Sequence, residues 1–182
     1  MNIAARIAVI VLVALCMTGA EAADLQKPPA RAELRLVDGS NDVAVNGLTV
    51  RVVKAYVGTL TAHSYKTFTS FVLPATAGGT WLHVLVDQPD SDLPDFRTVE
   101  SADSTVQAVA MYRDNGALFA VQATKEGLSP PDLYLNAAYV IFRVYRFNGN
   151  LDMALFKQEK VFKSASMYVN AGDALAKEFF KK

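Results

Sequence analysis

The stretch VAVNGLTVRVVKAYV, residues 43–57, carries the clearest statement of fold in the chain. Val43 and Val45 lead into Asn46-Gly47, the dipeptide that best tolerates the positive φ angles of a two-residue hairpin turn. Leu48 to Val57 continues on the far side with β-branched residues that suit a pleated, half-buried surface. A β-hairpin is expected here, and it sets the pattern for the segments on either side.

Upstream, Leu34 and Leu36 alternate with Arg35 before Asp38-Gly39-Ser40-Asn41 breaks the run, which predicts a short first strand. Downstream, Tyr65 to Leu73 mixes threonines and aromatics and stops at Pro74. A loop through Gly78-Gly79 hands over to Thr80 to Val86, a second hairpin. Asp87 to Phe96 carries aspartates and prolines and reads as a surface loop within one domain.

Thr105 to Tyr112 and Ala117 to Thr124 flank the turn sequence Arg113-Asp114-Asn115-Gly116, giving a third hairpin. Leu133 to Phe147 follows as a long strand whose Leu135, Tyr139, Ile141, Tyr145 and Phe147 share one face by period two. Asn148-Gly149-Asn150 turns it back into Leu151 to Phe162.

The last segment differs in kind. Asn170 is placed to cap a helix, Asp173 sits near the positive end of its dipole, and Leu175, Ala176, Phe179 and Phe180 fall at helical spacing. Short strands at regular spacing followed by one helix predict a mainly β fold: an antiparallel β-sandwich or barrel-like domain with a C-terminal α-helix.

The N-terminus reads as a leader. Arg6 precedes an apolar run from Ile7 to Leu15, and the small residues Ala20 and Ala22 flank Glu21, so residues 1–22 are expected to be a signal peptide cleaved after Ala22 or Ala23. The apolar run falls short of the roughly 20 residues a bilayer-spanning helix needs, which argues against a stable membrane anchor. Leu15 before Cys16 argues against a lipid anchor, and cleavage would remove the only cysteine. Residues 23–32 read as a flexible arm and 33–182 as a single β-rich domain, with the periplasm as destination.

About 160 residues would remain, enough to bury a sizeable core without disulfide or metal staples. Lysines plus arginines and aspartates plus glutamates number 18 each, with no long like-charged run. That balance excludes a nucleic-acid partner and a polybasic membrane patch.

No enzyme signature appears. His63 and His83 are the only histidines, without the close pairing that a zinc site with Asp87 would want. The nearest approaches to serine-lysine enzymes are Ser64-Tyr65-Lys66 and Lys66-Thr67-Phe68, wrong in spacing and lacking the glycine respectively. Asp90, Asp92 and Asp95 suggest solvated loop carboxylates rather than a glycosidase pair or a calcium loop. Neither catalytic residue, metal nor cofactor is expected. Arg143 and Tyr145 share one face, a pairing enriched at contacts. Because guanidinium groups suit carboxylates, Arg97, Arg113 and Arg143 are the candidates for holding a small carboxylate-bearing ligand, against an ordinary role as surface charges.

The run Ala62-His63-Ser64-Tyr65 into Thr67-Phe68-Thr69-Ser70-Phe71, the strand Val140 to Arg146, and the tail Tyr168-Val169-Asn170-Ala171 resemble the CarG family of periplasmic carbapenem intrinsic-resistance proteins. The likeness runs from roughly Leu34 to Phe180 and consists of strand residues and turns, without an active-site motif. The resemblance implies a periplasmic homodimer that protects a cell against a carbapenem by binding the drug or shielding its cell-wall target. The alternative is an envelope structural or adaptor protein that binds another protein by a sheet edge or aromatic face. A small hydrolase assembled from distant residues is the third reading.

Overall fold

The computed structural model describes residues 31–181 apart from 90, 102, 103 and 128–134. The expected leader, its cleavage site at Ala22 and Ala23, and nearly all of the expected arm lie outside those residues.

The strands are β1 (Ala32–Glu33), β2 (Gly39–Val45), β3 (Leu48–Val57), β4 (Tyr65–Val72), β5 (Leu82–Val86), β6 (Phe96–Arg97), β7 (Val99–Glu100), β8 (Thr105–Asp114), β9 (Ala117–Lys125), β10 (Val140–Phe147) and β11 (Leu155–Lys163). They form one sheet in the order β1-β8-β9-β10-β11-β5-β4-β3-β2, with β6 attached to β4 and β7 to β8. Every ladder is antiparallel except the short seam between β11 and β5, where Leu155 and Phe156 run parallel to Leu85 and Val86. The result is a strongly curled mixed sheet, a half-barrel, which agrees with the mainly β reading.

Both clearest hairpins form as expected. Asn46 and Gly47 take φ of 49° and 80°, and Asn115 and Gly116 take 48° and 81°. These are the consecutive positive values that a two-residue turn matched to strand twist demands. The second turn is tighter than its four-residue signal, so β8 and β9 extend through Arg113 and Asp114.

The curl leaves two cores. Inside it, Val50, Val52, Phe68, Val72 and Val84 of one half meet Met111, Leu118, Ala120, Tyr145, Phe147 and Phe156 of the other. Outside it, Ala108, Ala110, Val121, Ala123, Val140, Phe142 and Val144 pack against the C-terminal helix. The alanines keep that face shallow, which lets Phe179 reach Phe142 and Tyr112 at ring distances of 5.6 and 5.4 Å.

Several sequence expectations need correction. The first strand lies at Ala32–Glu33, while Leu34 and Leu36 pack against the inner core from irregular backbone; Leu34 still donates its N–H to the Met111 carbonyl at 2.8 Å. The long strand starts at Val140, and Leu135 is exposed. Its odd positions do share a face, but Val140, Phe142 and Val144 are buried as well because the helix covers them; a strand buried on both sides loses its alternation. The return strand begins at Leu155, leaving Leu151 and Met153 exposed in the connection.

The helix is a four-residue α turn (Ala171–Ala174) that widens into a π-helix (Leu175–Phe179). Asn170 occupies the N-cap position without capping by its side chain. Its Oδ1 accepts the Thr105 N–H at 3.0 Å, tying the helix start to β8. Among the described residues, no helix is long and apolar enough to cross a membrane.

Candidate functional site

Register dictates which side chains share the concave face. Gln107 and Thr124 are partners, as are Val109 and Gln122 on β8 and β9. Across β9 and β10, Gln122 faces Arg143 and Ala120 faces Tyr145. Toward the β8–β9 turn this face is apolar and covered by the other half of the sheet. Toward the opposite end it turns polar, through Gln107, Gln122, Thr124 and Arg143, and there it lines an open cleft of about 290 Å³.

The loop between β5 and β6 builds the opposing wall with Gln88, Pro89, Ser91, Leu93 and Asp95, continued by Arg97 of β6. This Asp- and Pro-rich segment is on the surface as expected, yet its own bonds shape it. Val86 N–H donates to the Pro94 carbonyl at 2.9 Å, and Gln88 Nε2 donates to the Leu93 carbonyl at 3.0 Å. Phe96 anchors the wall from behind, its ring edge-on to Tyr145 at 5.1 Å and to Phe156 at 5.4 Å. Thr98 then pins the chain to β4, donating its N–H to the Lys66 carbonyl and accepting the Lys66 N–H at its Oγ1, each at 2.8 Å.

Several polar groups in the cleft are engaged with protein. Thr124 Oγ1 donates to Gln107 Oε1 at 3.0 Å, and Gln107 Nε2 donates to the Arg97 carbonyl at 2.9 Å, a chain bridging floor and wall. Asp95 Oδ1 lies 2.9 Å from His83 Nε2. Gln122, only 8% exposed, keeps its side-chain carbonyl oxygen buried with no partner among the described residues. An unpaired buried acceptor costs on the order of 1–3 kcal/mol.

Of the three candidate arginines, Arg97 and Arg143 line this cleft and Arg113 does not. Arg97 makes no ion pair among the described residues, and its guanidinium carbon lies 5.7 Å from the Tyr65 ring centroid. Arg113 sits beside the β8–β9 turn and donates to the Ala44 carbonyl, clamping one hairpin to another. Tyr145 joins Arg143 in the cleft, as their shared face implied.

The other sequence candidates do not converge. His83 is paired with Asp95, and no group of three histidine, cysteine or acidic residues stands close enough for a metal among the described residues. Asp92 is exposed, and Asp90 lies outside the described residues. A second cleft of about 440 Å³ opens beside β1, but Lys54 there is bridged to Asp38 at 3.2 Å and Lys66 to Glu100 at 3.9 Å. Burial pushes the Tyr112 hydroxyl up to about 12 and draws the Lys125 ammonium down, and neither residue lines the polar cleft.

Sequence reading missed Gln107, Gln122 and Thr124. Their signal was available: three polar residues at same-face positions inside two largely apolar strands.

The curled sheet with its single C-terminal helix has a counterpart among solved structures. The fold is that of CarG. The crystal structure of CarG matches with a TM-score of 0.63 at 21% sequence identity, covering 79% of this chain and 93% of CarG. No family model matches the chain, and no curated protein does. The match to CarG supports the likeness first read from the strand residues and turns.

Proposed function

We propose that the protein is an exported, non-enzymatic binding protein that holds a small carboxylate-bearing ligand in the polar cleft, with a carbapenem as the ligand that the CarG likeness suggests. The carrying observation is the convergence of Arg97 and Arg143 in one polar cleft. Guanidinium groups recognise carboxylates, and a partly enclosed wall raises the strength of that pairing over open water. Binding then protects the cell by sequestering the drug or shielding its cell-wall target.

Ring opening asks for more than binding: an activated serine or a metal-bound hydroxide. The reading as a periplasmic protein rests on the leader-like residues 1–22, and the homodimer on the CarG resemblance. A deletion strain and its complemented parent, exposed to carbapenem, test the biological side. Protection is restored by the wild-type gene and lost with Arg143→Gln; equal sensitivity of all three strains would refute it.

One observation favours the envelope-adaptor reading as runner-up. Beyond Phe156, β11 has β10 on one side and no further strand pairing among the described residues, and Val161 and Phe162 there are exposed at 51% and 39%. Such an edge is open to strand addition, although Lys157, Lys160 and Lys163 blunt it.

A further inference from the structure

One edge of the sheet is open, and its unpaired charges are of one sign. Past Phe156, whose carbonyl accepts the Asp87 N–H, β11 has β10 on one side and no strand on the other among the described residues. Ser164 sends its N–H to the Val140 carbonyl, so by the alternation of an antiparallel ladder Val161 and Lys163 turn their backbone groups away from β10. Residues 159–163 are all exposed. The ladder shifts register at Glu159, so that Val144 faces Lys160 while Tyr145 faces Gln158. A one-residue bulge changes which side chains share a face. Lys157 and Lys160, opposite Arg146 and Val144, therefore both stand on the convex side with Phe162. Glu159 is bridged to Arg146 at 3.5 Å and Lys163 to Glu126 at 2.7 Å, whereas Lys157 and Lys160 make no ion pair among the described residues.

Unpaired backbone donors and acceptors along an edge are completed by a further strand. A second copy is a poor occupant. Two β11 strands paired antiparallel about Lys160 set Lys160 against Lys160 and Lys157 against Lys163, and like charges directly opposite destabilise. A strand that carries carboxylates reverses that sign. We propose that the free edge of β11 takes an extended, acidic segment of another protein as an added strand, its carboxylates on the convex side beside Lys157 and Lys160 and its apolar side chains on the concave side beside Val161. This rests on the adaptor reading, not on the carboxylate cleft, and gives that reading its edge and its partner chemistry.

The test is NMR titration of the isotopically labelled mature protein with a short peptide of alternating valine and glutamate, and with its glutamine and lysine counterparts. The glutamate peptide is expected to shift the backbone amides of residues 157–163 saturably and to bind at least about fivefold more tightly than the glutamine peptide, with the lysine peptide weakest, the effect of two opposite-charge cross-strand pairs. Methylating the peptide nitrogens at the valines blocks one edge of its strand, and at the glutamates the other; at least one of these peptides loses binding. The double variant Lys157→Glu, Lys160→Glu, changed only at exposed positions, reverses the order of the glutamate and lysine peptides. Equal affinity for the glutamate and glutamine peptides overturns the selection of acidic partners while leaving strand addition intact. Binding undiminished by either methylation overturns the added strand. So do shifts of the same amides that grow with protein concentration in the absence of peptide, which report a second copy on the edge. No shift of these amides with any peptide overturns the proposal together with the edge-binding adaptor reading.

Discussion

Gln122 and Arg143 are direct register partners on the concave face of the sheet, and both line the polar cleft. Toward the β8–β9 turn the same face continues through Ala120 and Leu118 on β9 and Met111 on β8, which are buried in the inner core. One end of the concave face thus belongs to the inner core, and the other lines the polar cleft.

The wall of the cleft depends on Phe96. Truncating this ring, 1% exposed and in edge contact with Tyr145 and Phe156, is expected to cost about 3–5 kcal/mol. Urea unfolding of Phe96→Ala checks it. A loss below about 1 kcal/mol, the range of an ordinary surface change, would mean that the loop is not anchored as described.

Two glycines should respond oppositely to alanine. A Cβ at Gly79 would meet Pro74 Cβ at 2.6 Å, and a pyrrolidine ring has little room to yield. Gly79→Ala is therefore expected to destabilise by about 1–3 kcal/mol. Gly172, helical and facing open space, should gain a few tenths to about 1 kcal/mol on the same change. Thermal melts of the two variants give the signs directly.

Tyr112 makes stability fall in alkali. Burial chiefly, with Asp114 and Glu159 adding to it and Arg31 opposing, pushes its hydroxyl from 10.0 up to about 12. In the unfolded chain the group ionises first, so the folded state binds more protons between those values. The contribution is fully present below pH 10 and lost as pH rises toward 12, at up to about 1.4 kcal/mol per pH unit. Tyr112→Phe should lose less stability than wild type across that window. Parallel curves for the two proteins would contradict the assignment.

Export is checked by intact mass. Protein recovered from the periplasmic fraction should begin at Ala23 or Asp24, as cleavage after Ala22 or Ala23 requires. A chain retaining Met1 would contradict the leader reading.

Much of the fold was legible where chemistry is local. Asn46-Gly47 and Asn115-Gly116 demanded positive φ, and the hairpins followed. The faces of β10 were half legible: Tyr145 and Phe147 are inward as their spacing said, but Val140, Phe142 and Val144 owe their burial to a helix that arrives later in the chain. Asn170 shows the same limit, since its side chain leaves the helix for the Thr105 N–H across the fold. Arg97 and Arg143 were named for their chemistry alone. That they meet while Arg113 clamps a hairpin is a consequence of register and curl, which no local pattern encodes.

The most direct test of binding without turnover is calorimetry of the mature protein with a carbapenem while its ring absorbance is followed. Saturable heat with unchanged absorbance is the predicted result, with affinity at least about tenfold weaker in Arg143→Gln through loss of a charge-assisted contact. Steady decay of the ring absorbance at catalytic protein concentrations, or no heat at all, would contradict the account.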